Sequence, residues 1–351
     1  MRSAFLHFYT PTTEEFTTLW RSATFSFDAS VLLDLYRFTQ ASREELLRLF
    51  KQHQDRIWLT HQSGLEFSRN RFTIIGEAKK KAADLKKQLE NLRNVSAERY
   101  QQHPFVSSEV CVEIGRACND FLTTLQQAED SYPNYLTNDP ILAELLALFE
   151  GKVGEPFSKQ ELTIKYAEID LRYAAEIPPG YADAKTKDAP RSYGDCILWF
   201  QLIDYSKKSK RPVILVTRDL KEDWWLREGG KTLLPHPELR REFKEETGQD
   251  FYLYQASQFI EEAKLHRQNV VSEALLAEAR AMSEESRQRK EEAKETAVSS
   301  ANQPDEILSQ ALESSKTSVT PRLDNLRNLL ELLRVRPDVS NDDDTGPDQS
   351  A

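Results

Sequence analysis

The chain has few of the residues that staple a fold covalently or grip a soft metal. Cys111, Cys118 and Cys196 are the three cysteines of 351 residues, and they do not make a disulfide scaffold. Cys111 and Cys118 stand seven apart in an apolar-periodic segment, which predicts a shared, buried helix face. His53 and His61 are isolated, and no Cys/His spacing of a zinc site occurs. No apolar run is long enough to span a bilayer, and no secretory leader is visible. A reducing, cytoplasmic setting without membrane contact is therefore expected. A glycine-rich phosphate loop ending in Lys-Ser/Thr is also missing, which excludes a P-loop nucleotide site.

Positive charge is in the minority: 47 Lys and Arg stand against 57 Asp and Glu, for a net charge of -10. This argues against nonspecific coating of nucleic acid by the whole molecule, but a local basic groove remains open. Lys79, Lys80 and Lys81 with Lys86 and Lys87 could form one, as could Lys207, Lys208, Lys210 and Arg211. The same residues could equally be solvated helix faces. Part of the acidity lies in Asp338, Asp342, Asp343, Asp344 and Asp348 at the end of the chain, away from any cleft built earlier.

What the sequence does have is two acidic strand ends. Phe25-Ser26-Phe27 leads into Asp28, and Val213–Val216 leads through Thr217 and Arg218 into Asp219. Short apolar runs of this kind read as buried strands. Further strands are expected at 56–59 and 251–254, with helices at about 40–50, 62–95, 107–129, 139–149, 159–172 and 193–209. Ser42 and Glu45 have capping-box spacing at the first of these. Strand, helix, strand alternation predicts an α/β fold with a parallel sheet. Pro178-Pro179-Gly180 ends the all-helical stretch. After the strand at 251–254, a helix capped by Ser257 is expected to run to about 297. Leu323, Leu326, Leu330 and Leu333 form a stripe near the end, suited to docking on the core, on a second copy or on a protein partner.

Open α/β sheets place their sites at the carboxyl ends of the strands. Asp28 and Asp219 stand there, Glu66 falls in the first turns of the helix after the second strand, and Asp195 opens the helix at 193–209. Each alone could be a cap or a surface carboxylate. Together they would make a hard-cation site suited to Mg2+ or Mn2+ and to phosphate-ester chemistry. Asp223 stands four residues after Asp219; Asp34, Asp183, Arg69, Arg218 and Lys221 are supporting candidates. Trp224 and Trp225 are read as packing under the loop, with base stacking as the alternative.

The segments Phe27–Ser30, Glu66, Pro178–Asp183, Tyr193–Trp199 and Val216–Trp225 resemble the PIN-like nuclease superfamily, in particular its large bacterial branch with a helical insertion. The resemblance implies a three-layer α/β/α sandwich with a central parallel sheet, a helical insertion and a helical C-terminal extension. It implies a Mg2+- or Mn2+-dependent endoribonuclease. Asp28, Glu66, Asp195 and Asp219 would be its catalytic metal ligands, with Asp223 as a further acidic position. Arg218 departs from the family pattern, where another acidic residue is common. Members often act as toxins, in RNA processing or in phage defence. The expected organisation is a nuclease domain at 20–265, with its insertion at about 70–175, a helical extension at 266–336 and a disordered acidic tail at 337–351. RNA is the expected partner. Two other readings stand beside the nuclease: a catalytically weakened nucleic-acid-binding or assembly protein, and a DNA nuclease or other phosphohydrolase.

Overall fold

The computed structural model describes residues 1–98, 104, 106–185, 187–229, 231–267 and 271–288. Within them the apolar runs become the strands of a parallel sheet. β1 is Thr24–Phe27, β2 is Val213–Thr217, and β5, further along the chain, is Phe251–Gln255. The order is β1-β2-β5, so β2 is central. Phe27 pairs with Val216, and Val216 with Tyr254, which brings the carboxyl ends of all three strands to one edge.

Both faces of this sheet are covered, as an all-parallel sheet requires. Alternate residues therefore point into two different cores. Ile214, Val216, Tyr252 and Tyr254 face one, with Phe50, Leu145 and Phe259. Val213, Leu215, Phe251 and Leu253 face the other, with Trp199, Leu239 and Phe243. The result is a three-layer α/β/α sandwich.

The helices come in chain order as α1 (Thr13–Ser22), α2 (Ala29–Asp34), α3 (Gln40–Gln52), α4 (His61–Glu98), α5 (Ser108–Ser131), α6 (Pro140–Phe149), α7 (Lys159–Ala174), α8 (Gly194–Ser209), α9 (Pro237–Thr247) and α10 (Ala256–Arg267). A last helix, α11, spans 273–288. α4 to α7 are the helical insertion between the two halves of the sheet. α4 and α5 pack against each other, with Cys111 and Cys118 buried on α5. A small antiparallel hairpin, β3 (Trp225–Glu228) with β4 (Lys231–Pro235), follows β2.

Three local expectations change. The stretch at 56–59 forms isolated bridges, Ile57 to Phe25 and Leu59 to Val153, rather than a strand. The cap of α3 is Thr39, whose side chain accepts from the Ser42 amide, because the helix already begins at Gln40 and Ser42 lies inside its first turn. The expected single helix to 297 is divided into α10 and α11. α11 returns to the core, burying Val271, Leu275, Leu276 and Ala279. Its junction with α3 is reciprocal. Glu278 accepts from the Thr39 amide at 2.9 Å, the Thr39 hydroxyl at 2.8 Å and the Ser42 hydroxyl at 2.7 Å, at the start of α3. Glu45 of α3 accepts from the Ser272 amide at 2.7 Å and the Ser272 hydroxyl at 2.6 Å, just before α11. Each carboxylate thus meets the positive end of the other helix. The packed unit runs from Met1 to Arg287. The leucine stripe at 323–333 and the acidic tail lie outside the described residues. Among the described residues no helix is long and apolar enough to cross a membrane.

Candidate functional site

The carboxyl edge of the sheet collects the acidic residues. Asp28 follows β1 and precedes α2. Its Oδ2 accepts from the Ser30 hydroxyl at 2.5 Å and the Thr217 hydroxyl at 3.0 Å, so the end of β2 holds the end of β1. Burial pushes the Asp28 carboxyl up, the Ser30 hydroxyl opposes this, and the charges of Asp195 and Asp219 add to the rise. Glu66 lies in the second turn of α4 and takes a 2.6 Å hydrogen bond from Gln62. Burial, and then the charge of Asp28, push it up to about 7. Gly194 lets α8 come this close: a Cβ there would lie 2.5 Å from Glu66 Oε1.

At the centre of the cleft is a lysine. Lys221 Nζ lies 2.6 Å from Asp219, 2.8 Å from Asp195 and 2.8 Å from Asp183. Burial pulls this ammonium down, but Asp195, Asp219 and Asp183 together outweigh it and hold it well above the ordinary lysine range. Asp195 also accepts from the Trp224 indole at 3.2 Å, and Asp183 is paired with Lys187. The loop that carries Lys221 is fixed from within. Asp219 Oδ1 accepts from the Lys221 amide at 3.0 Å, and the Trp225 indole donates to the Asp219 carbonyl at 2.6 Å. Trp224 and Trp225 are both buried and lock the loop rather than offering a face for stacking.

The remaining candidates point elsewhere. Asp223 is fully buried; its Oδ2 accepts from the Gly180 amide at 2.8 Å and the Ala182 amide at 3.1 Å, and its Oδ1 has no partner. Burial, partly opposed by Lys221, pushes it up to about 6. Gly180 has φ +95, and a Cβ there would lie 2.4 Å from the Tyr173 hydroxyl, so this turn demands glycine. Arg172 braces it from α7, donating to the Pro178 carbonyl and forming a fork on Glu242 at 2.5 and 2.8 Å. Asp34 is buried between Arg37 at 2.9 Å and Arg218 at 2.7 Å. Arg218 therefore turns away from the acidic cleft toward α2. Arg69 is exposed on α4.

This arrangement corrects the expectation of a Mg2+- or Mn2+-dependent ribonuclease. Among the described residues, no group of three or more His, Cys, Asp or Glu side chains is arranged to hold a metal ion. The donor chemistry gives the reason. Asp183, Asp195 and Asp219 are turned onto the Lys221 ammonium. Asp28 is turned onto two hydroxyls, Asp223 onto backbone amides and Asp34 onto two guanidinium groups. A cation is already supplied by the chain, and the residues do not fit a divalent-metal cofactor. The metal-binding and metal-dependent nuclease assignments are corrected with it.

Sequence reasoning gave Lys221 only a supporting place and missed Thr217, Ser30 and Gln62. The available signal was a lysine two residues after the strand-end Asp219, inside an otherwise acidic turn.

No curated protein and no solved structure matches the chain significantly. The family model described as a PIN like domain matches residues 24–239, more than half of the chain, from β1 into α9. Its span takes in the sheet edge, the helical insertion and the Lys221 turn, so on fold and sequence together the chain belongs to the PIN-like domain family.

Proposed function

We propose that the protein is a nucleic-acid-binding PIN-like module whose acidic cleft is neutralised by its own lysine. The observation that carries this reading is Lys221 Nζ within 2.8 Å of Asp183, Asp195 and Asp219 in a PIN-like fold. Lys185, Lys187 and Arg191 are exposed on the loop and short helical turns next to the cleft, and Arg69 is exposed on α4. These side chains supply the local positive charge that phosphate backbones require, despite the net charge of -10. Single-stranded or locally unpaired RNA is the ligand that this reading favours, and the long helical insertion is consistent with the large bacterial branch of the family.

The test is fluorescence anisotropy with single-stranded RNA, single-stranded DNA and duplexes in a chelating buffer, beside a cleavage panel with Mg2+ and Mn2+. Binding that persists in chelator and weakens with salt, without metal-stimulated turnover, is the expected result. Metal-stimulated cleavage that Asp28→Asn abolishes would overturn the reading.

A further inference from the structure

An open cavity of about 460 Å³ lies beside the carboxyl ends of β2 and β5, where Leu220 and Gln255 contribute to its wall. Its chemistry is opposite to that of the Lys221 cleft. Arg227 and Lys231 reach it from the β3–β4 hairpin, and Arg280 and Arg287 from α11; Ser257 in the first turn of α10, Thr232, Ser283 and Glu284 add to the polar lining. Arg280 is paired with Glu261, and Arg287 lies 3.6 Å from Glu284. The lining thus carries four cationic side chains and one carboxylate, Glu284, in an acidic protein.

Arg227 is the informative residue. Its Nη1 makes a long 3.4 Å contact with the Leu220 carbonyl, and its Nε is buried with no hydrogen-bond partner. The long Nη1 contact satisfies this guanidinium only weakly, so a phosphate oxygen in the cavity is the stronger acceptor for it. Guanidinium forks match phosphate oxygens in pairs. The amides at the start of α10 add to the same field. The position, outside the carboxyl ends of parallel strands, is where open α/β sheets take their ligands.

We propose that this cavity is a phosphate-binding site that takes a backbone phosphate of the bound nucleic-acid strand. The identity of the strand rests on the nucleic-acid reading above; the phosphate chemistry rests on the cavity itself. Its lining shares no residue with the Lys221 cleft, so the two can be tested separately.

The experiment compares the full chain with the Lys231→Ala/Arg287→Ala double variant; both side chains are exposed, so the fold should tolerate the change. Anisotropy with a single-stranded RNA in chelator, from 50 to 200 mM salt, reads affinity and salt slope. Thermal shift with pyrophosphate reads the cavity without any oligonucleotide. The expected result is roughly a tenfold loss of RNA affinity and a salt slope shallower by about 0.7 per contact removed. Pyrophosphate should raise the Tm of the parent and not of the variant. If the parent binds RNA and the variant matches its affinity and slope, the cavity proposal is overturned while the nucleic-acid reading stands. If the parent binds no oligonucleotide but pyrophosphate stabilises it and not the variant, the phosphate site stands and the nucleic-acid reading fails. A parent that responds to neither probe overturns both.

Discussion

Glu66→Gln should stabilise the protein at alkaline pH and do little at acid pH. Glu66 titrates at about 7 in the folded chain against an ordinary 4.5, first because it is buried and second because Asp28 faces it. Asp195 at the start of α8 adds to the rise, while Lys187 and the Gln62 amide oppose it. Between these two pH values the folded chain keeps a proton that the unfolded chain has released. Stability therefore falls as pH rises through the window from 4.5 to about 7, and the penalty is complete above it. A difference of about 2.5 pH units corresponds to on the order of 3 kcal/mol. The glutamine keeps the shape and can still pair with Gln62, but it carries no charge. The expected gain is about 2–3 kcal/mol at pH 8 and under about 1 kcal/mol at pH 5. Urea denaturation followed by tryptophan fluorescence at both pH values measures it, since Trp20, Trp199, Trp224 and Trp225 are buried. Equal gains at the two pH values, or a loss at pH 8, would refute the reasoning. Asp28→Asn in the same series should move the pH dependence to lower pH, because it removes the second cause.

Lys221→Met should destabilise the fold by about 3–5 kcal/mol at neutral pH, since it removes the cation shared by Asp183, Asp195 and Asp219 and leaves their charges facing one another; an unchanged Tm would show that the carboxylates are solvated instead. Glu278→Ala removes three hydrogen bonds at the start of α3 and should cost about 1–2 kcal/mol, read as a lower urea midpoint at unchanged m. Gly180→Ala should cost about 1–3 kcal/mol, because φ is +95 there and the added Cβ meets the Tyr173 hydroxyl. Wild-type denaturation of that variant would show that the turn is less constrained than its geometry implies.

The layers of the sandwich were legible because Val213–Thr217 and Phe251–Gln255 are short, mostly apolar runs of a sheet buried on both faces; Thr24–Phe27 alternates polar and apolar residues, yet all four are buried. The long helices of the insertion were legible from periodicity. The β3–β4 hairpin was not, because Trp225–Glu228 and Lys231–Pro235 mix apolar and charged residues, and Trp225 is buried in the core with Trp199 and Phe243. α1 was also missed, although Thr12 and Glu15 form a capping box at its start. The acidic residues at the sheet edge were readable one by one. Their partners were not, because the choice between an external ion and Lys221 depends on where a flexible four-carbon side chain ends up in space. The same holds for Arg218, whose guanidinium finds Asp34 across the α2 turn rather than the neighbouring Asp219. Glu45 has the spacing of a capping partner for Ser42, yet it serves Ser272, 227 positions away.

The exchange of carboxylates between α3 and α11 has a consequence for how the protein is made. Glu45 emerges early from a ribosome, but its partner Ser272 and the apolar residues Leu275, Leu276 and Ala279 emerge last in the packed unit. At about 5–20 residues per second, a nascent chain spends more than ten seconds with the start of α3 uncapped by Glu278 and one core face open. β1 waits almost as long for β2, its neighbour in the sheet. The last-made helix thus acts as the closing seal, and the vulnerable period of this protein in the cell is its own synthesis.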